Sequence, residues 1–420
     1  MKTRLKSESA QKIISSLISI LIGLAFGALV VLIVGLCNKS ISLKGAWEGI
    51  RIIFIGILST GRDATGALTW GFNSASVGNM LFRATPLIMT GLSVALAFKT
   101  GLFNIGAPGQ YLMGTLATLS IALGIPAGTL PGWLIWLLAF LGGMLAGALW
   151  GAIPGMAKAF LNINEVLACI MTNWIAANLV TWAFDASNFK NMVEGTKSGY
   201  IYKTTYGLVN GTYVDGAGVA TAKLGLDKLF PGSQINAGIL VAILLAIAVH
   251  IIISKTTFGY ELKDCGANRH AARYAGIHDK RNIVLSMAIA GSLAAAGASL
   301  YFLSGNTEFF WSTYQSLPSA GFNGIPVALL ALNNPIGVIF SAIFMAMLNI
   351  VGLQLTNLTA YNEYITDVII AVIVYLSAFS LVIRMLISRR PRKAEKKSDA
   401  AEAAAPAPQP ANDEKGGQTE

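Results

Sequence analysis

The chain has 420 residues, of which 54% are hydrophobic and only 12% charged, whereas an ordinary soluble domain carries roughly 25% charged residues; this inventory cannot build a water-soluble surface. The formal net charge of +10 comes from basic residues in short segments between apolar runs rather than on a folded basic face, which argues against a nucleic-acid partner and matches the Lys and Arg excess of cytoplasmic loops. Cys37, Cys169 and Cys265 have no CxxC or CxxH spacing, so neither a disulfide framework nor a metal site is expected.

Uncharged runs about as long as the roughly 20 residues of a spanning helix recur along the chain. The first, 13 to 37, is too long for a secretory signal and is closed by no small-residue cleavage pattern, so it reads as an anchor helix. Further spans are expected near 78–98, 105–125, 133–153, 164–184, 235–254, 283–304, 336–355 and 363–386. Lys2, Arg4, Lys6 and Lys12 before the first span, and Arg389, Arg390, Arg392 and Lys393 after the last, place both termini in the cytoplasm. The number of crossings must then be even. The additional one is assigned to the short, Gly- and Pro-broken segment Ser319 to Leu332. Irregular backbone at membrane depth is tolerated only when protein or a water-filled cavity surrounds it, which points to a transport pathway.

The fold class is therefore an all-α polytopic membrane protein of about ten transmembrane helices with two inverted halves. Residues 1–12 form a cytoplasmic N-terminus, 13–387 the transmembrane domain and 388–420 a tail rich in Lys, Glu, Ala, Pro and Gln, a composition expected to be disordered. Trp47 to Leu58 is apolar, but a full crossing there would invert everything after it, so an interfacial or re-entrant helix on the outer side is expected. The polar, aromatic and Gly-rich stretch 185–234 becomes an external loop, serving as a lid, a docking surface or a plain solvated connection.

The segment 133–153 and its continuation carry Gly143, Gly147, Gly151 and Gly155 at intervals of four, a stripe that lets another helix approach closely in lipid. Catalytic patterns are missing: there is no GxxxxGK[ST], HExxH or GxSxG, and Gly195-Thr196-Lys197-Ser198 lacks the earlier glycine of a phosphate loop. His250, His270 and His278 have no ligand spacing, and no cofactor is expected. Arg83 and Asp367 lie near the outer ends of spans, where snorkelling accounts for them as well as function does. The span centres hold no ionisable group, which disfavours the competing class of ion-coupled secondary transporters.

The cytoplasmic loop 255–282 contains a short helix former bounded by Gly266 and Gly276, with Arg269 and Arg273 on one face at i, i+4 and alanines filling much of the rest. Such a helix can lie in a groove on a soluble partner or on the anionic inner leaflet. The run His270-Ala-Ala-Arg-Tyr-Ala-Gly276 resembles the EAA-x-x-x-G coupling loop of ABC-importer permeases, with histidine where a glutamate often stands. The stretches GLSVALAFKTGLFNIGAPGQYLMG (91–114), NEVLACIMTNWIA (164–176), FGYELKDCGANRHAARYAGI (258–277) and GFNGIPVALLALNNPIG (321–337) resemble the branched-chain amino acid, ribose and nucleoside permease family. Within it they are most similar to permeases that work with nucleoside-binding lipoproteins.

That resemblance covers about residues 75–386 and implies a non-enzymatic permease subunit of an importer in the bacterial inner membrane. It implies an ATP-binding subunit docked on the cytoplasmic loops, a second related permease, an extracellular solute-binding lipoprotein and a small-molecule substrate. ATPase coupling would fall to Arg269, Ala271, Ala272, Arg273 and Gly276. A simple sugar or a branched-chain amino acid remains an alternative solute within the family. For the pathway, Gly101-Leu-Phe-Asn104-Ile-Gly-Ala-Pro108 echoes Gly321-Phe-Asn323-Gly-Ile-Pro326, and the spans preceding them run in opposite directions, as in inverted repeats. The expected substrate-pathway residues are Phe103, Asn104, Gln110, Phe322 and Asn323, with the Phe-Asn pairs on broken backbone. Phenylalanine offers a flat face and asparagine both donor and acceptor. The alternative is that the asparagines cap tight turns.

Overall fold

The computed structural model describes residues 8–378 apart from 39–40, 127–128, 192–193, 201–205, 210–211, 216–218, 314 and 363, so the expectations for the extreme N-terminus and for the tail lie outside the described residues. The helices are α1 Glu8–Cys37, α2 Leu43–Ile55, α3 Ser74–Lys99, α4 Ala107–Gly124, α5 Gly132–Leu161, α6 Glu165–Asp185 and the one-turn α7 Leu226–Leu229. They continue with α8 Gly238–Lys255, α9 Thr257–Ala267, α10 Arg269–Tyr274, α11 Asp279–Phe302, α12 Ser319–Leu330, α13 Pro335–Leu358 and α14 Tyr364–Ala378. Among the described residues each segment read as a span holds a helix over most of its length, and six helices, α3, α5, α6, α8, α11 and α13, are long and apolar enough to cross a membrane.

Asparagine marks the joints between several of them. The Asn73 side chain caps α3 by accepting from the Ser76 N–H at 2.9 Å, and Asn164 and Asn334 cap α6 and α13 in the same way. Asn162 takes the left-handed conformation that ends α5 (φ 54°), and Leu332 and Asn333 do so between α12 and α13.

The centre of the bundle is α3 and α11, whose apolar windows are 83% and 72% buried, against 28% for α5 at the periphery. The glycine stripe of α5 seats that helix on α11. Gly147 and Gly291 meet backbone to backbone, Gly151 lies on the Met287 carbonyl, and a methyl built on Gly155 would stand 3.0 Å from the Met287 Cβ. Gly143 makes room for the hydroxyls of Thr118 and Ser299, which bond to each other at 2.7 Å. In lipid, where apolar side chains gain little by leaving the solvent, such close packing is what holds helices together.

The stretch 47–58 holds no helix of spanning length. Helix α2 has 13 residues, about 20 Å at 1.5 Å per residue, too short for a hydrocarbon core of about 30 Å. It buries Ala46, Gly49, Ile52 and Ile53, leaves Trp47 and Phe54 outside, and runs into a hairpin of β1 Ser59–Arg62 and β2 Leu68–Trp70. The segment after α6 contains a second hairpin, β3 Tyr206–Val209 with β4 Thr212–Asp215, and is tied down at several points. The Ser198 N–H donates to the Phe309 carbonyl at 2.9 Å, Thr221 Oγ1 donates to the Leu303 carbonyl at 2.9 Å, and Trp311 Nε1 donates to Asp185 at 2.7 Å. Phe184 stacks on Trp311 at 5.1 Å between ring centres. Among the described residues, the connections after α6 and after α11 are thus joined by hydrogen bonds and ring stacking.

One expectation about the backbone fails. Residues 319–330 are a continuous helix, short rather than broken, and the irregular backbone comes after it. Pro318 precedes the first turn and Pro326 removes only the hydrogen bond to the Phe322 carbonyl. The glycines serve contact instead: methyls on Gly321 and Gly324 would lie 2.5 Å from the Pro108 Cα and 2.6 Å from the Thr90 carbonyl carbon.

Candidate functional site: a loop helix joined to a buried amide network

The loop between α8 and α11 is built by local capping. Thr256 accepts from the Gly259 N–H at 3.1 Å to start α9, and Asn268 accepts from the N–H groups of His270 and Ala271 at 3.0 and 3.1 Å to start α10. Helix α10 ends on Gly276 at φ 82°, with the Ile277 N–H donating to the Ala272 carbonyl at 3.0 Å and that of Gly276 to the Arg273 carbonyl at 3.1 Å, the hydrogen-bonding pattern of a Schellman stop.

Both arginines of α10 turn back on the chain. Arg269 Nε donates to Asp279 Oδ2 at 2.5 Å and an Arg273 terminal nitrogen donates to the same oxygen at 2.9 Å. The hydrogen bond to Asp279, together with the carboxylate's charge, raises the Arg273 pKa. Within the chain these two charges lock α10 onto the start of α11. Ala272 is buried, so the face left for a partner is His270, Ala271, Arg273, Tyr274, Ala275 and Gly276. Tyr274, which sequence reasoning passed over, is 95% exposed at the tip.

The other end of the loop helix pair reaches into the bundle. A methyl on Gly266, at the end of α9, would lie 2.6 Å from the Lys99 carbonyl oxygen and 2.8 Å from the Gly101 nitrogen. Gly101 adopts φ 68°, and a methyl there would lie 3.0 Å from the Gly266 Cα. Thr100 Oγ1 bonds to Ser286 Oγ at 2.6 Å beside this contact. At this point the α9 end and the turn between α3 and α4 touch backbone to backbone.

That turn leads directly to Asn104. Asn104 is fully buried; its Nδ2 donates to Ser93 Oγ at 2.9 Å and to Gln110 Oε1 at 2.8 Å, and Gln110 Nε2 donates back to Asn104 Oδ1 at 3.0 Å. From α6, Asn173 clamps the same segment, accepting from the Gly109 N–H at 2.9 Å and donating to the Ile105 carbonyl at 3.0 Å. Phe103 is half-buried and packs on Phe98 at 5.3 Å between ring centres. The two echo motifs do meet, since Gly321 abuts Pro108, but they differ in form: 101–106 is irregular, whereas Phe322 and Asn323 sit on α12.

Chemically the five expected pathway residues fall into two groups. Asn104 and Gln110 bond to each other in a buried amide pair that ties the turn to the start of α4. Phe322 is 36% exposed and Asn323 half-buried, and both have an open side. Asn173 and Gly266 were missed, although both lie inside the motif stretches 164–176 and 258–277. Among the described residues, no group of three His, Cys, Asp or Glu side chains is placed to hold a metal ion.

The family described as branched-chain amino acid transport system / permease component matches residues 76–378. The chain is 33% identical over 394 residues to the nucleoside ABC transporter permease protein NupB of Lactococcus lactis subsp. cremoris, covering 94% of this chain and 98% of that protein. It is 31% identical over 377 residues to the guanosine ABC transporter permease protein NupP of Bacillus subtilis, covering 90% and 96%. It is 29% identical over 280 residues to the glucose ABC transporter permease protein TsgB13 of Haloferax volcanii, covering 65% and 68%.

Proposed function

The chain belongs to the family of branched-chain amino acid transport system permease components, and on that basis we propose that it forms the translocation pathway of an ABC importer for nucleosides. As a permease with six apolar helices of spanning length it is a multi-pass membrane protein, and its family consists of transport subunits rather than enzymes. The observation that carries the solute assignment is the similarity, over nearly the whole of each chain, to two permeases for nucleosides, against a shorter match to a glucose permease. In this reading about ten helices enter the membrane of a bacterial cell, the 12-residue α12 as a partly re-entrant span, and both termini are cytoplasmic.

The working complex contains a second related permease, ATP-binding subunits on the cytoplasmic side and an external solute-binding lipoprotein. The exposed tip of α10, with Ala271, Tyr274 and Gly276, meets the ATP-binding subunit. Arg269 and Arg273 keep that tip attached to α11 through Asp279, and Ala272 packs it inward. Movement of the loop reaches the α3–α4 turn through Gly266 and Gly101. The Asn104–Gln110 pair and the Asn173 clamp let that segment move as a unit, and Phe103, Phe322 and Asn323 lie where it meets the pathway. Nucleotide binding in the partner then biases the permease between outward- and inward-open states.

The test is uptake of labelled guanosine and uridine by cells carrying the complex, with and without this chain, challenged with unlabelled nucleosides, glucose, ribose or leucine. Competition by nucleosides alone supports the proposal. Competition by a sugar or by leucine, with nucleosides inert, reassigns the solute.

A further inference from the structure

Helix α6 has two faces of opposite character. Its inner face carries the buried Asn173 that clamps residues 105–109. Its outer face, beginning with the very next residue, presents Trp174, Asn178 and Trp182 at intervals of four, with Trp174 54% and Trp182 68% exposed and Asn178 also exposed. These three, with Met171, Ile175 and Leu179, line a shallow, open groove along the helix.

A lipid-facing surface is a poor account of that stripe. Trp174 lies at the middle of Glu165–Asp185, whereas lipid-exposed tryptophans gather at the membrane interfaces. Asn178 follows one turn later, and asparagines inside membrane helices seek partners on neighbouring helices. Its Nδ2 makes one bond, to the Trp174 carbonyl at 2.8 Å, so the Oδ1 acceptor and the second N–H are both available to something outside the helix.

We infer that the Trp174–Asn178–Trp182 face of α6 is a track for the nucleobase, each indole a stacking station and the Asn178 amide the group that reads the base edge between them. The inference rests on the nucleoside reading and extends it to residues outside the motifs described above. At about 1.5 Å rise per residue, the two indoles are about 12 Å apart along the axis. That spacing is too wide for a base sandwiched between them and suits successive positions of one base passing along the helix. Stacking is indifferent to which base is bound, because every base has a π face, whereas the amide supplies a donor and an acceptor that its rotation can interchange. The wall opposite α6 comes from the second permease. Because Asn173 and Trp174 are adjacent, the clamp on residues 105–109 ties the track to the loop-driven segment.

The experiment uses the complete complex in proteoliposomes, with uridine and guanosine as probes. Trp174→Leu is expected to raise the uptake KM about fivefold or more, the scale of a lost base–aromatic stack, with normal subunit composition. Trp174→Phe is expected to stay within about twofold of the wild type. Cysteine at position 178 is expected to react with a small hydrophilic thiol reagent, and added nucleoside to slow the reaction. A wild-type KM in Trp174→Leu together with an unreactive Asn178→Cys would show a lipid-facing surface and overturn the inference. Loss of the second permease from purified Trp174→Leu complex would make the stripe a packing face and overturn it as well. A wild-type complex that imports no nucleoside fails earlier, before any variant, and so marks failure of the underlying solute reading.

Discussion

Replacing Gly266 with alanine probes the link between the loop and the pathway at its tightest point. The added methyl would sit 2.6 Å from the Lys99 carbonyl oxygen and 2.8 Å from the Gly101 nitrogen and the Thr100 carbonyl carbon, all backbone atoms. Ordinary contact begins near 3.4 Å, so the two segments must separate by about 0.8 Å, because repulsion at closer range is steep. Overpacking of this kind costs about 1 to 3 kcal/mol, a minority of the 5 to 15 kcal/mol typical of a folded domain. The variant should therefore insert and assemble, with a lowered melting temperature. Its defect is expected in coupling: ATP hydrolysis by the reconstituted complex within about twofold of normal, and nucleoside uptake reduced about fivefold or more, a loss of about 1 kcal/mol in the coupled step. Gly276→Ala is the control. It meets nothing within 4 Å but keeps φ 82°, so it strains the α10 stop by about 1 to 2 kcal/mol without moving the α3–α4 turn, and uptake should fall less. A Gly266→Ala complex with wild-type uptake and melting temperature would refute the backbone relay.

Asn173→Leu removes two hydrogen bonds and leaves the Gly109 N–H and Ile105 carbonyl without partners, at about 1 to 3 kcal/mol for each buried group; thermal melting should show the destabilisation, and an unchanged melting temperature would mean the clamp is dispensable. Gly147→Val forces a side chain into the Gly291 backbone, and the yield of monodisperse protein in detergent should drop sharply, whereas valine at exposed Gly195, which has nothing within 4 Å, should be neutral. Asp279→Asn takes away the shared anionic partner of Arg269 and Arg273, so hydrogen exchange should accelerate across residues 269–276 and less ATP-binding subunit should copurify. Tyr274→Ala should weaken that copurification without changing exchange, because the side chain is 95% exposed and exposed aromatic anchors dominate many interfaces; undiminished copurification would remove Tyr274 from the contact.

The helical framework was legible because uncharged runs of spanning length and hydropathy depend on composition alone. The predicted span 133–153 falls within α5 and 164–184 matches α6 to within a residue at each end. The glycine stripe was legible for a similar reason, since a spacing of four puts Gly143, Gly147, Gly151 and Gly155 on one face of any helix. What stayed hidden depends on tertiary partners. Pro326 and two glycines read as breakers of 319–332, yet Gly321 and Gly324 are small because Pro108 and Thr90 press against them, and packing there favours a helix. The partner of the α10 arginines was not legible because Asp279 lies beyond that helix, and only the fold of the loop brings it back. Asn104 and Gln110 face each other across the start of α4, a pairing that depends on the irregular turn before it. Between its acidic ends helix α6 is apolar apart from Thr172, Asn173, Asn178 and Thr181, too few polar residues to separate the face carrying Asn173 from the face carrying Trp174.

The central claim is tested most directly by ATP-driven transport in a defined system. Proteoliposomes holding this chain with its second permease and ATP-binding subunits, supplied with the solute-binding lipoprotein, should accumulate labelled nucleoside only when ATP is present on the side of the ATP-binding subunits. Accumulation should cease when this chain is omitted. Nucleoside accumulation that persists without the chain, or a complete complex that hydrolyses ATP and concentrates glucose or leucine but not nucleosides, would contradict the account.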